Sequence, residues 1–348
     1  MNTRFLKWLL TATVICCFSL VATNVIAKKP VKPEPVLSQP AFAYYCKSNP
    51  NMGAICLANA DGSAPVQIFT TSKFQGSNFQ IAAFQGATGG EVLVEDSSDL
   101  WSIEYTVDPE GFLAAVEDPR KLIEGGVWLV DWSPDGDDFA LPAFEGIYLG
   151  SRIDYASGGL GTPIVVIPPS PPEPELLHEG ISALTWSADG QTIYFIKSSH
   201  AVDGSSWKEL HKAEIGDYLA DDGTQDVTQC LLANRGAPYA DNSYCSEIDN
   251  NLTRLDLVSH SDDGLMVSAK GMNPPGSDPE ETYYIYIYDG LEGTWDKIPT
   301  PEFKGHDWTS DGTIIGQTDD DEILTFDPET SDISILIKKN GTSPDWNN

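Results

Sequence analysis

Four times the chain closes an apolar run with an aromatic-Ser/Thr-x-Asp-Gly phrase. The copies are Trp132-Ser133-Pro134-Asp135-Gly136, Trp186-Ser187-Ala188-Asp189-Gly190, His260-Ser261-Asp262-Asp263-Gly264, where His takes the aromatic place, and Trp308-Thr309-Ser310-Asp311-Gly312. A recurring phrase marks a recurring structural unit, and units this small must stack on one another to bury their faces. Each phrase lies between β-prone runs, as between Ile181–Trp186 and Thr192–Ile196. Asp-Gly in that setting predicts a hairpin, because Asp suits the turn and Gly accepts left-handed φ where the next strand begins. The aromatic residue offers area to bury against the adjoining unit. Trp132, Asp135, Gly136, Trp186, Asp189, Gly190, His260, Asp263, Gly264, Trp308, Asp311 and Gly312 are therefore read as structural.

With a degenerate copy at Phe84, the phrase starts leave room for about four short strands per unit. Further strands show at Asp99–Ile103, Gly146–Leu149, Thr282–Tyr288, Glu322–Phe326 and Ile333–Ile337. No long helical period interrupts them after the N-terminal segment, so the fold class is all-β.

These residues resemble the TolB-like, WD40-like β-propeller repeat family. Its pattern runs Trp-Ser-Pro-Asp-Gly, an apolar strand, then a strand ending in a phrase such as Asn59-Ala60-Asp61-Gly62-Ser63. Ser343-Pro344-Asp345-Trp346 resembles the opening of one more repeat. Only the copy at Trp132 keeps the family's Pro, and His260 departs from its Trp. The resemblance implies a six-bladed β-propeller over residues 41–348, closed by pairing of N- and C-terminal strands within one shared blade. Closure of this kind removes edges that invite aggregation.

Arg4 and Lys7, an apolar run from Trp8 to Ala22 and then Val25-Ile26-Ala27 match a secretory signal peptide over residues 1–27. Residues 28–40 form a Pro/Lys-rich linker. The expected location is periplasmic or secreted, without membrane insertion once the leader is cleaved. Cys46, Cys56, Cys230 and Cys245 remain outside the leader, and an oxidising compartment favours disulfides. Sequence proximity favours Cys46 with Cys56 and Cys230 with Cys245 among the three pairings.

A net charge of −32 makes this an acidic protein that repels nucleic acid and favours a basic partner. No Gly-x-Ser-x-Gly elbow occurs, which argues against a serine peptidase. His178, His200, His211, His260 and His306 lack metal-site spacing, and the Asp-rich loops read as turns. No cofactor is required, calcium being the one the Asp-rich loops would admit. The expected function is a non-enzymatic, monomeric propeller that binds a protein or peptide partner in the cell envelope. The long interval from His200 to Asn250 supplies its candidate partner-binding residues: Trp207, His211, Tyr218, Arg235, Tyr239 and Tyr244. The alternative is a calcium-dependent, lactonase-like hydrolase with its site in the central channel, an implication of the shared blade number.

Overall fold

Each apolar run becomes one strand of a small antiparallel sheet, and six such sheets make the fold. The computed structural model describes residues 40–49, 52–71, 81–86, 88–96, 99–124, 129–143, 146–151, 165–166, 176–215, 228–234, 245–248, 252–261, 264–272, 276, 281–289, 293–303, 305–309, 312–318, 320, 322–338 and 341–346. The chain divides into two compact units, Met1–Pro35 and Val36–Asn348, and every described residue belongs to the second. The leader expected at 1–27 lies outside the described residues, as does the linker apart from Pro40.

Blade 1 holds β1 (Phe42–Asn49), β2 (Met52–Ala58) and β3 (Val66–Thr71). Blade 2 holds β4 (Ile81–Gly86), β5 (Gly89–Asp96), β6 (Asp99–Val107), β7 (Leu113–Val116) and β8 (Arg120–Ile123). Blade 3 is β9 (Asp131–Trp132), β10 (Asp138–Ala143), β11 (Gly146–Ser151) and β12 (Val165–Val166). Blade 4 is β13 (Leu176–Trp186), β14 (Thr192–Ala201), β15 (Ser206–Glu214), β16 (Thr228–Ala233) and β17 (Cys245–Ile248). Blade 5 comprises β18 (Leu252–Ser261), β19 (Gly264–Met272), β20 (Glu281–Asp289) and β21 (Thr294–Thr300). Blade 6 comprises β22 (Gly305–Trp308), β23 (Ile314–Gln317), β24 (Ile323–Phe326) and β25 (Ile333–Ile337). The last strand, β26 (Gly341–Trp346), leaves blade 6 and pairs antiparallel with β1, giving blade 1 the order β26-β1-β2-β3.

Six apolar clusters each join two successive blades. Blade 1 meets blade 2 through Tyr45, Leu57, Val92 and Ile103, and blade 2 meets blade 3 through Leu93, Leu100, Trp132 and Phe139. The series continues through Leu129 with Phe195, Leu210 with Val267, and Met266 with Trp308. Phe42 and Ala58 of blade 1 pack on Ile315 and Ile323 of blade 6, which closes the ring. The protein is thus an all-β, six-bladed β-propeller sealed by its N- and C-terminal strands.

The phrase works as its chemistry predicts in three copies. The Ser133 hydroxyl donates to Asp135 Oδ1 at 2.6 Å and accepts from the Asp138 amide at 3.0 Å, while Gly136 takes φ 70°. Ser187, Asp189 and Gly190 repeat this arrangement, with φ 67° at the glycine. Thr309 closes the third turn by accepting from the Thr313 amide at 3.1 Å. In the His260 copy Ser261 pairs with Gly264, and Asp262 and Asp263 lie outside the described residues. Register also corrects the reading of the C-terminal phrase. Trp346 lies opposite Phe42 just as Trp132 lies opposite Phe139, so Asp345-Trp346 corresponds to Asp131-Trp132, and Ser343-Pro344 belongs to the strand rather than a turn.

Candidate functional site

Blade 2 differs from the others at its rim. The outer position is filled by two short strands, β7 opposite Tyr105–Val107 and β8 opposite Leu100–Ser102, with Glu117, Asp118 and Pro119 bulging between them. Pro119 has no amide to give a ladder, so a break there is expected. Behind the break lies a cavity of about 600 Å³, lined by Thr88, by Gly89, Gly90 and Glu91 of β5, by Ser102, Glu104, Tyr105 and Thr106 of β6, and by Glu117, Asp118 and Arg120. Gly89 has φ 153°, and a β-carbon there would overlap the Tyr105 carbonyl, so glycine is what lets the two strands meet at the cavity.

Cross-strand pairing sets Glu91 opposite Glu104 on the face turned toward blade 3. Glu91 and Ser102 form the buried floor, each 2% exposed, and the Ser102 hydroxyl donates to Glu91 Oε1. Glu104, Glu117, Asp118 and Arg120 are exposed around it. Arg120 approaches Glu104 at 3.6 Å with both side chains about half exposed, a pair that water screens heavily. Four carboxyl groups against one guanidinium give the cavity lining an excess of acidic groups. Buried carboxylate below and exposed carboxylates above match an alkyl-stemmed cation, whose stem needs walls and whose head needs acceptors.

Of the residues expected to bind a partner, Trp207 and His211 fall elsewhere. Trp207 and His211 are 2% and 1% exposed, so neither stands on the surface. Both belong to β15, a regular third strand, where the sequence reading expects a loop. Trp207 donates to Glu209 Oε1 at 3.1 Å, and His211 Nε2 meets Glu209 Oε2 at 3.1 Å. Next to them Lys197 is fully buried, with its ammonium 3.0 Å from Glu179. The network packs beside Phe195 on the face turned toward blade 3. Tyr218, Arg235, Tyr239 and Tyr244 lie outside the described residues. Disulfides join Cys46 to Cys56 and Cys230 to Cys245, the second tying β16 to the parallel fifth strand β17.

Two titratable groups sit between inner strands. Asp131 accepts from the Trp186 amide at 3.3 Å, and burial pushes its carboxyl up to about 7 although part of the residue reaches solvent. His306 meets the Ser259 hydroxyl at 3.3 Å through Nδ1, its Nε2 has no hydrogen-bond partner among the described residues, and burial lowers it to about 4. Among the described residues no group of three or more His, Cys, Asp or Glu side chains is placed to hold a metal ion, and no helix is long and apolar enough to cross a membrane.

No family model matches the sequence, and no curated protein is similar to it. Solved structures with which the chain superposes include the periplasmic gluconolactonase of Pseudomonas aeruginosa, at 10% identity and TM-score 0.46 over 88% of this chain and 99% of that one. Another is the Swd1 β-propeller domain of Myceliophthora thermophila, at 9% identity and TM-score 0.46 over 90% and 88% of the two chains. A third is Sqt1 of Chaetomium thermophilum bound to the N-terminus of ribosomal protein L10, at 14% identity and TM-score 0.41 over 88% and 75%.

Proposed function

We propose that this protein is an exported, TolB-like propeller that binds a protein or peptide, and that a Lys or Arg side chain of the partner enters the blade 2 cavity. The observation that carries the reading is that cavity, where Glu91, Glu104, Glu117 and Asp118 outnumber Arg120 behind a broken outer strand. The chain's charge of −32 supports it by raising the local concentration of a basic partner and speeding encounter. The two disulfides support residence in an oxidising compartment. The Trp-Ser-Pro-Asp-Gly and Asn-Ala-Asp-Gly-Ser phrases support the TolB-like assignment.

Calorimetry with short peptides of equal length, bearing Lys or Arg, Glu, or only neutral side chains, tests the reading. Basic peptides are expected to bind, more weakly at higher salt, and the Glu91→Gln/Glu104→Gln variant to lose about tenfold in affinity, the effect of one charge-assisted contact. Equal binding of all three peptide classes, or binding that the double variant leaves unchanged, would overturn it.

A further inference from the structure

Outer strands of propeller blades are sheet edges, and edges invite pairing unless something blunts them. Four of the rims here carry such a device. The exposed residues of β3 are polar, Gln67 and Thr70. Blade 2 breaks its edge at Pro119 and places Arg120 and Lys121 on β8. In blade 4 the parallel strand β17 covers β16, and β21 carries Asp296, Lys297 and Pro299. Among the described residues strand β25 has no charge, proline, break or covering strand. It reads Ile-Ser-Ile-Leu-Ile, with Ile333 51% and Ile335 46% exposed.

Pairing with β24 places Ile333 opposite Phe326 and Ile335 opposite Leu324, so both point to the same face. A register shift follows, and Leu336 and Ile337 turn instead toward blade 1, where the Asn59–Ser63 turn packs on the Leu336 backbone. The open stretch is therefore 332–335. An exposed acid, Asp332, precedes the strand, and an exposed base, Lys338, follows it. The strand is thus locally neutral on a strongly acidic molecule, and its two ends complement one another when a second copy runs antiparallel.

We propose that β25 is the contact of a two-fold symmetric homodimer in which the edges of two copies pair antiparallel with Ser334 on the axis. Ile333 then faces Ile335 of the partner subunit, joining the two exposed pairs into one apolar stripe. Asp332 of one copy then lies at the end of the pair where Lys338 of the partner subunit follows its strand, so opposite charges meet at each end. Such an interface is isologous, so it closes at two copies instead of growing into a filament. Repulsion between two acidic molecules acts against it. At about 0.15 M ionic strength the Debye length is about 8 Å, so charges beside the strand outweigh those across the ring.

Sedimentation velocity over a concentration series, using the full folded chain, reads the association. The intact protein should move from monomer to dimer as concentration rises. Lys338→Asp and Asp332→Lys should each weaken association about tenfold by setting like charges together, and the double exchange should restore it. Ser334→Cys should form a disulfide-linked dimer under mild oxidation, whereas Thr70→Cys on the β3 edge should not. A chain that stays monomeric to its highest soluble concentration overturns the proposal. So does a dimer indifferent to the charge exchange, or one cross-linked equally well from β3, since either means association without this register. Thermal melts of each variant identify any loss of folding, and the Ser334→Cys readout, at an exposed serine, stands apart from the charge changes.

Discussion

Blades 2 and 4 flank blade 3, and each turns carboxylates toward it, yet the two faces have opposite fates. In blade 4 Glu209 receives Trp207 and His211, Glu179 receives Lys197, and a fifth strand held by the Cys230–Cys245 disulfide completes the blade. In blade 2 Glu91 receives Ser102, Glu104 has Arg120 at 3.6 Å, and the outer strand breaks where the cavity opens. The carboxylates of blade 4 are closed over within the scaffold, whereas in blade 2 Glu104, Glu117 and Asp118 stand exposed beside the cavity. Blade 3 separates the two cases with an ordinary apolar face on each side.

The sharpest way to break this comparison is to remove donors from the closed face. Lys197→Ala empties the buried space of the lysine stem and takes the ammonium from Glu179, which keeps the Ser199 hydroxyl and part of its contact with water, so it should cost about 2–5 kcal/mol, the range for truncating a long buried side chain; denaturant unfolding measures it. A loss below about 1 kcal/mol would mean that the network is as solvated as the cavity. Reducing the closure is next in size. The Cys230→Ala/Cys245→Ala variant should lose about 3 kcal/mol, since the bond spans a sequence separation of 15. Proteolysis should then begin in blade 4 and spare blade 2.

The inner strands give the comparison a pH signature. For His306 the native value, about 4, lies below the ordinary 6.5, so its stabilisation is complete above pH 6.5 and is lost as pH falls toward 4. For Asp131 the native value, about 7, lies above 3.8, so its stabilisation is complete below pH 3.8 and is lost as pH rises toward 7. Between pH 4 and 6.5 the two slopes oppose each other, and their contributions cancel. Asp131→Asn should uncover the histidine's slope, raising unfolding free energy with pH by up to about 3 kcal/mol across that window. A variant profile as flat as that of the intact protein would contradict both assignments.

Smaller again is Gly316→Ala in blade 6, whose added methyl would overlap the buried Phe303 ring and should cost about 1–3 kcal/mol by overpacking. Least affected should be Glu104→Gln at the open cavity. It should change stability by no more than about 0.5 kcal/mol while weakening capture of a basic peptide. Stability and binding thus separate in blade 2, and in blade 4 only stability responds.

How much of this is legible in the sequence follows from how local each signal is. The Trp-Ser-Pro-Asp-Gly turns can be read directly, because hydroxyl, carboxylate and glycine all act within five residues. Ring closure follows from the family resemblance, but the phrase at Ser343-Pro344-Asp345-Trp346 aligns one element off in sequence, because only backbone register matches Asp345-Trp346 to Asp131-Trp132. Trp207 and His211 mislead: an aromatic in a long insertion suggests a surface anchor, but the alternation Trp207-x-Glu209-x-His211 is that of a strand with one committed face. The cavity is hard to find because it belongs to the degenerate blade that begins near Phe84. Its trace is Ser102-x-Glu104-x-Thr106, polar at every position where a buried strand face would be apolar, followed by Glu117-Asp118-Pro119. That the break and the polar face coincide is a tertiary fact, set by which stretches of β6 the two short strands occupy.

Hydrogen exchange with and without a saturating lysine-bearing peptide tests the difference between the two blades most directly. Added protection should concentrate at residues 102–106 and 117–120, and β15 should exchange at the same rate in both states. Protection spread over β15, or confined to segments away from blade 2, would contradict the assignment of the open face as the receptor.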